Sequence, residues 1–249
     1  LNVAYMKGGH KIALKNLYNH LFTNESNVYT GTIQGFGGTG EVHSYTSVTL
    51  LSDIRQHRLE GEHAIGKKGI KLEWNADWVN GVRNQPDTRN ILAFSNPGDP
   101  EGYYYYNFAD RTGYLGRGAS IFNSYLEENR YNWSANATFP FNINGQKQKL
   151  KVGYAGTYRD ADFQSVGLLA VRQGNAGGSY ETDTKGLPDY ELLSPRFFKP
   201  GYLYYYLTGP RNTGVGDDYA GIQRLHAGYA MLDVNFLKLF RFVGGVRLE

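Results

Sequence analysis

Between residues 69 and 83 apolar and polar side chains alternate almost without interruption. Leu72, Trp74, Ala76, Trp78 and Val82 fall on even positions, and Lys71, Glu73, Asn75, Asp77 and Arg83 on odd ones. Successive side chains of a strand point to opposite faces, so this period predicts a strand with one apolar and one charged face. The pattern recurs at 131–139, where Tyr131, Trp133, Ala135, Ala137 and Phe139 alternate with Asn132, Ser134, Asn136 and Thr138. Leu150, Val152, Tyr154 and Tyr158 alternate with Lys149, Lys151 and Thr157. Near the end, Phe240, Phe242, Val246 and Leu248 alternate with Arg241, Arg247 and Glu249, and near the start Ile12, Leu14 and Tyr18 alternate with Lys11 and Lys15. Between Ile54 and Leu59 the apolar parity flips, which predicts either a bulge or the end of a membrane-embedded stretch. Around 227–236 both parities are apolar and the faces stay unassigned; the hydroxyl-rich stretch 44–50 has weak polarity.

The predicted strands are eight: 1–7, 10–22, 45–65, 69–83, 121–141, 147–163, 219–237 and 240–249. Short turns join them at Gly8-Gly9-His10, Gly66-Lys67-Lys68-Gly69, Asn142-Ile143-Asn144-Gly145 and Leu237-Lys238-Leu239, alternating with long connections over 23–44, 84–120 and 164–218. Short turn, strand, long loop, strand is how an outer-membrane β-barrel is written. Loops this long are uncommon in compact soluble domains and usually functional. The predicted fold class is all-β: an antiparallel transmembrane β-barrel segment of about eight strands from a larger barrel, with residues 1–249 as one domain.

The 249 residues include no cysteine, which excludes disulfides and thiolate sites. The net charge of +3 is spread without a basic block, and no nucleic-acid partner is expected. The mean hydropathy is −0.51, and no apolar run reaches the roughly 18 residues of a membrane helix. A barrel escapes that test, because its strands need only about 10 residues with every second one facing lipid. The 21 Tyr and 13 Phe suit interfacial girdles or a ligand-contacting surface. The chain starts at Leu1 in strand-like sequence and ends in a strand at Glu249, which suggests a segment of a longer polypeptide.

Tyr103, Tyr104, Tyr105 and Tyr106, with Tyr204, Tyr205 and Tyr206, sit in the two longest loops. They are candidate ligand-binding residues, a platform of phenol rings for a sugar, chelate or peptide. The competing reading is extra strands whose tyrosines pack against neighbouring loops. Glu127, Glu128, Arg130, Arg159, Asp160 and Asp162 lie where strands pass into loops, and read as wall charges that pair with one another rather than as catalytic carboxylates. His10, His20, His43, His57, His63 and His226 are dispersed; His57 and His63 share parity but stand about 20 Å apart along a strand and cannot share a metal. Asp217-Asp218 with Asn212, or Asp99 with Glu101, have oxygen ligands for Ca²⁺ but not the regular spacing of an EF-hand. No metal site, no cofactor and no catalytic residue is therefore expected, and the chain does not read as an enzyme.

Three stretches carry a family resemblance. Ala227-Gly228-Tyr229-Ala230-Met231-Leu232-Asp233 leads into Phe242-Val243-Gly244-Gly245-Val246-Arg247-Leu248-Glu249. Arg58-Leu59-Glu60-Gly61-Glu62-His63 precedes Leu72-Glu73-Trp74 and Asn84-Gln85-Pro86-Asp87. Leu126-Glu127-Glu128-Asn129 precedes Lys149-Leu150-Lys151-Val152-Gly153-Tyr154 and Arg159-Asp160-Ala161-Asp162-Phe163. The chain resembles the barrel of TonB-dependent outer-membrane receptors, particularly the large Bacteroidetes-type forms. That family has a plug and a barrel of about 22 strands, so this chain corresponds to about a third of the barrel, a central piece. The resemblance implies a bacterial cell outer membrane location and energised import of a scarce nutrient: an iron chelate, an oligosaccharide or a peptide. Its implied partners are a TonB-like energising protein acting through the plug, the rest of the same barrel, membrane lipid and a surface lipoprotein that caps it. Two other readings stand beside it. One is a soluble or surface-attached carbohydrate-binding β-sandwich, with Trp74, Trp78 and Trp133 in a core or on a binding face. The other is a barrel hydrolase, for which no nucleophile, base and orienting group are recognisable.

Overall fold

The computed structural model describes residues 1–32, 41–94, 98, 105–106, 119–143, 145–172, 183–184, 187–208, 218–236 and 239–249. Ten strands form one antiparallel sheet. They are β1 (Val3–Lys7), β2 (His10–Gly31), β3 (Val42–Ile65), β4 (Ile70–Phe94), β5 (Tyr105–Tyr106), β6 (Ala119–Ile143), β7 (Gln146–Arg172), β8 (Leu203–Thr208), β9 (Tyr219–Phe236) and β10 (Phe240–Leu248). The main path is a meander, β1-β2-β3-β4-β6-β7-β9-β10, with β5 paired to β4 and β8 to β7 beside it. The sheet is not closed: among the described residues β1 pairs with β2 alone and β10 with β9 alone.

Each short turn closes a hairpin, so antiparallel order places all four at one end of the sheet. Glycine makes such turns possible: Gly8 and Gly9 (φ +55° and +81°) and Gly66 and Gly69 (φ +68° and +71°) adopt a backbone that other residues resist.

The predicted strands exist, but most run further toward the long-loop end than the alternation indicated. Strand β2 continues to Gly31 and β4 to Phe94. Asn24-Glu25-Ser26-Asn27 reads as loop, yet pairs residue for residue with Thr49, Val48, Ser47 and Thr46 of β3. Ladder hydrogen bonds override weak propensity there. At about 3.3 Å per residue, the 25 residues of β4 extend roughly 80 Å.

Cross-strand partners share a face, so the registers sort every side chain. Trp74 lies opposite Gly61 and Ala135, and Trp78 opposite His57 and Tyr131. From these pairs one face carries Leu14 and Ile12 (β2), Leu59 (β3), Leu72, Trp74, Ala76 and Trp78 (β4), Ala135 and Trp133 (β6), Val152 and Tyr154 (β7) and Val246 (β10). It is called the Trp face below, and its opposite the polar face. The same registers settle 227–236: Ala230 and Leu232 join the Trp face opposite Val152 and Leu150, while Met231 and Asp233 lie on the polar face.

The parity flip between Ile54 and Leu59 is not a bulge. Pairing of β2 with β3 is continuous from His10↔His63 to Gly31↔Val42, and β3 stays in register with β4 across that stretch. The pairing is unbroken, and it is the chemistry of the Trp face that changes. Among the described residues the register slips only at β4, where the pairings to β3 and to β6 both shift around Pro86-Asp87. Proline, with no N–H to donate, suits a bulge, and Asp87 sits at φ +52°. The extra residue turns Arg89, Ile91 and Ala93 onto the face of Tyr45 and Ala119.

That turn builds the principal core. Tyr45, Ile91, Ala119, Ile121, Ala170 and Leu203 of five strands bury Leu192, Leu193 and Phe197 from the β7–β8 connection. This connection crosses the Trp face in two 3-10 turns, Asp189–Glu191 and Pro195–Phe197.

Candidate functional site

Three zones follow one another from the turn end to the loop end. The first is apolar on the Trp face. On β6 the Trp-face positions from Phe141 to Tyr131 are Phe, Phe, Ala, Ala, Trp and Tyr, ten steps or roughly 33 Å along the strand. Many of these apolar side chains are open to solvent, Leu14, Phe139, Val152, Tyr154, Phe242 and Val246 among them. The polar face at the same level holds an ion-pair ladder. Lys15 Nζ lies 2.6 Å from Glu60, Arg58 Nε 3.2 Å from Glu60, Lys71 Nζ 2.6 Å from Glu73, and Arg241 pairs with Asp233 at 2.7 Å. Asn75 donates to Ser134, Thr157 to Asn132 and Tyr229 to Asn136.

The second zone is a belt of rings crossing the Trp face. His57 stacks on Trp78 with centres 5.5 Å apart, and Tyr131 approaches Tyr158 at 6.0 Å. Arg224 lies over the Tyr158 ring and Arg55 over Tyr18. A depression of about 390 Å³ opens just below the belt, walled by Trp78, Trp133, Leu14, Leu59 and Tyr131 with Ala76 at its floor. Beyond the belt this face becomes more polar: Asn80, Glu127, Asn129, Asp160 and Asp162 occupy the next positions beside Val82 and Ile222, and Tyr18 and His20 both bond Asp53.

The strand-end charges therefore do not form one group. Glu127, Asp160 and Asp162 lie on the Trp face, whereas Glu128, Arg130 and Arg159 lie on the polar face. Glu128 Oε1 accepts from Arg130 at 2.9 Å, and its Oε2 from Arg159.

The third zone is the loop end. Tyr205 stacks on Phe198 with centres 3.7 Å apart, and burial raises its phenol pKa. It holds the connection onto the Trp face instead of standing free. Tyr204 and Tyr206 point the other way, packed on Leu169 and Val171. Tyr103 and Tyr104 lie outside the described residues; the backbones of Tyr105 and Tyr106 pair with Phe94 and Ala93. Both tyrosine runs thus contribute short extra strands. Arg89 ties the connection down: Asp87 accepts from its Nε and Nη2 at 2.9 and 2.8 Å, which raises the guanidinium pKa, and its Nη1 donates to the Tyr190 carbonyl. His43 Nε2 lies 2.9 Å from Asp189. Sequence reasoning missed this clamp, although the apolar pairs Leu192-Leu193 and Phe197-Phe198 within a polar connection were its signal.

Among the described residues no group of three or more His, Asp or Glu is placed to hold a metal. His10 and His63 meet at 3.1 Å, and Trp74 Nε1 donates to His63. Asp218 accepts from the Ser165 N–H at 2.8 Å; Asp99, Glu101, Asn212 and Asp217 lie outside the described residues. Trp74, Trp78 and Trp133 are half-buried on an open face, and all described strands belong to one sheet, so the second layer that a sandwich requires is absent among the described residues. No protein-family model matches the chain, and no curated protein matches it.

Proposed function

We propose that this chain is a stretch of the wall of a TonB-dependent outer-membrane transporter, with the Trp face toward lipid and the polar face toward a watery lumen. The observation that carries the reading is the outward run Phe141 to Tyr131, ended by a belt of rings and then by Asn129 and Glu127. A tilted membrane strand needs about 9–11 residues, and a barrel's apolar band ends in aromatic girdles. The parity flip at 54–59 then marks the upper edge of the bilayer. The ladder on the polar face suits a lumen, and the strand extensions beyond the belt would stand in the extracellular space.

The open edges at β1 and β10 fit the same reading. Unpaired backbone in hydrocarbon costs several kcal/mol per group, so both edges require further strands of the same barrel. The family resemblance adds gated import of a nutrient, driven through a plug by a TonB-like protein. On that reading no bond is broken, and the loop-end strands form the outer mouth.

The test is electrophoresis of the source cells' outer-membrane fraction, boiled and unboiled, with an antibody against residues 187–203. A large barrel gives a band far above 28.0 kDa that shifts on boiling. A heat-insensitive band in the soluble fraction defeats the reading.

A further inference from the structure

Arg130 and Arg159 are direct cross-strand partners on the polar face. Like charges placed opposite one another destabilise a sheet, and here a single carboxylate, Glu128, serves both. Both guanidinium side chains remain well exposed, at 45% and 40%. Nε of Arg159 is buried without a hydrogen-bond partner, an unmet donor of the kind that calls for an explanation.

The surroundings make the imbalance larger. Three consecutive rows cross β4, β6, β7 and β9 on this face: Val79, Arg130, Arg159 and Gln223; then Gly81, Glu128, Ala161 and Gly221; then Arg83, Leu126, Phe163 and Tyr219. Arg83 has no ion-pair partner among the described residues and is exposed. Three arginines therefore surround Glu128; the next carboxylate on this face, Asp77, lies one row below Arg130, opposite Arg58, and accepts from Gln56. The middle row is otherwise built from residues without bulk, and a Cβ placed on Gly81 or Gly221 would meet nothing within 4 Å. The space over the arginines is open. Its upper side is a stacked pair, Phe163 on Tyr219, with centres 5.1 Å apart.

We infer that this patch is an oxyanion-binding site for a solute bearing a carboxylate or phosphate, with Arg130, Arg159 and Arg83 as donors and Phe163 and Tyr219 as the apolar wall. Planar guanidinium forks match the two oxygens of such groups, and charge-assisted pairs of this kind are the strong ones. Glu128 holds the two opposed forks in place while the site is empty. An incoming anion shares their remaining N–H donors and relieves the repulsion between them. The site needs only the strand register, so it goes beyond the transporter reading without requiring it.

The experiment uses the full-length protein and titrates inorganic phosphate and citrate, separately, by calorimetry. Saturable binding of at least one probe is expected. Arg130→Gln and Arg159→Gln each weaken it by about tenfold or more, as loss of one charged fork should. Glu128→Gln removes the competing carboxylate and tightens it. Arg247→Gln, on the same face near the turn end, leaves it unchanged; circular dichroism identifies folded variants. No binding of either probe, or equal binding by wild type and a folded Arg159→Gln, overturns the inference. A protein that binds phosphate through Arg159 yet is soluble without detergent keeps the site and loses the transporter. A heat-modifiable membrane barrel that binds neither anion does the reverse.

Discussion

The indole of Trp78 stacks on the imidazole of His57, the rings 12° from parallel, at the height where the Trp face turns from apolar to polar. Below this pair the Trp-face residues of β3 and β4 are Leu59, Gly61, Ala76 and Trp74; above it they are Arg55, Asp53, Asn80 and Val82. The pairing of neither strand slips there. On the transporter reading, this change along a regular backbone is where the wall passes from lipid to water.

A charge introduced below that line should be costly. Ala135 faces outward between Trp74 and Tyr154. Ala135→Arg is expected to destabilise the protein in lipid vesicles by about 2–4 kcal/mol, the cost of a cation near the midplane of a barrel's lipid face. Ser134→Arg, one residue away on the polar face, should cost far less. Denaturant unfolding of the two variants checks the difference.

Gly61 and Gly156 exist to seat indoles. A Cβ on Gly61 would run into Trp74, and one on Gly156 into Trp133. Gly61→Ala is expected to cost about 1–3 kcal/mol, the usual penalty for overpacking. Adding Trp74→Ala should make the glycine substitution nearly neutral, so a double-mutant cycle reads the contact directly.

The clamped connection should loosen in alkali. Tyr205 is raised by burial, and Tyr202 chiefly by its hydrogen bond to Asp183. A raised pKa means that the folded state holds the proton more tightly. The contribution is fully present below the unfolded value of about 10 and is lost as pH rises through the higher folded value. Protease cleavage within 187–202 should therefore accelerate above about pH 10. The double substitution Tyr202→Phe with Tyr205→Phe should abolish that dependence.

Cutting the tether should expose the same segment at neutral pH. Asp87 is the bidentate partner of Arg89, which in turn holds the Tyr190 carbonyl. Asp87→Ala is expected to raise hydrogen exchange over 187–202 and to leave exchange in β2 and β3 unchanged, measured by mass spectrometry.

Local sequence showed what has a period. Alternation around Trp74 and Trp133 revealed the strands and their faces, and Gly8-Gly9 and Gly66 to Gly69 revealed hairpin ends. It could not show what depends on a neighbour. Strand β2 runs to Gly31 only because β3 pairs with it, and β4 keeps its course past Pro86 by a bulge that then swaps the faces of Arg89 and Ile91. Arg130 opposes Arg159 through a register that no spacing within one strand reveals. Tyr205 looked like a free ring for the same reason: its partner, Phe198, lies across a turn whose path the sequence does not state.

The most direct test of the lipid-facing wall uses two adjacent positions. The chain contains no cysteine, so single substitutions Ala76→Cys and Asn75→Cys in the full-length protein can carry spin labels in bilayers. The label at 76 should be relaxed by lipid-dissolved oxygen and shielded from a water-soluble nickel chelate, and the label at 75 should behave oppositely. Equal access of the chelate to both positions would contradict a membrane-embedded Trp face.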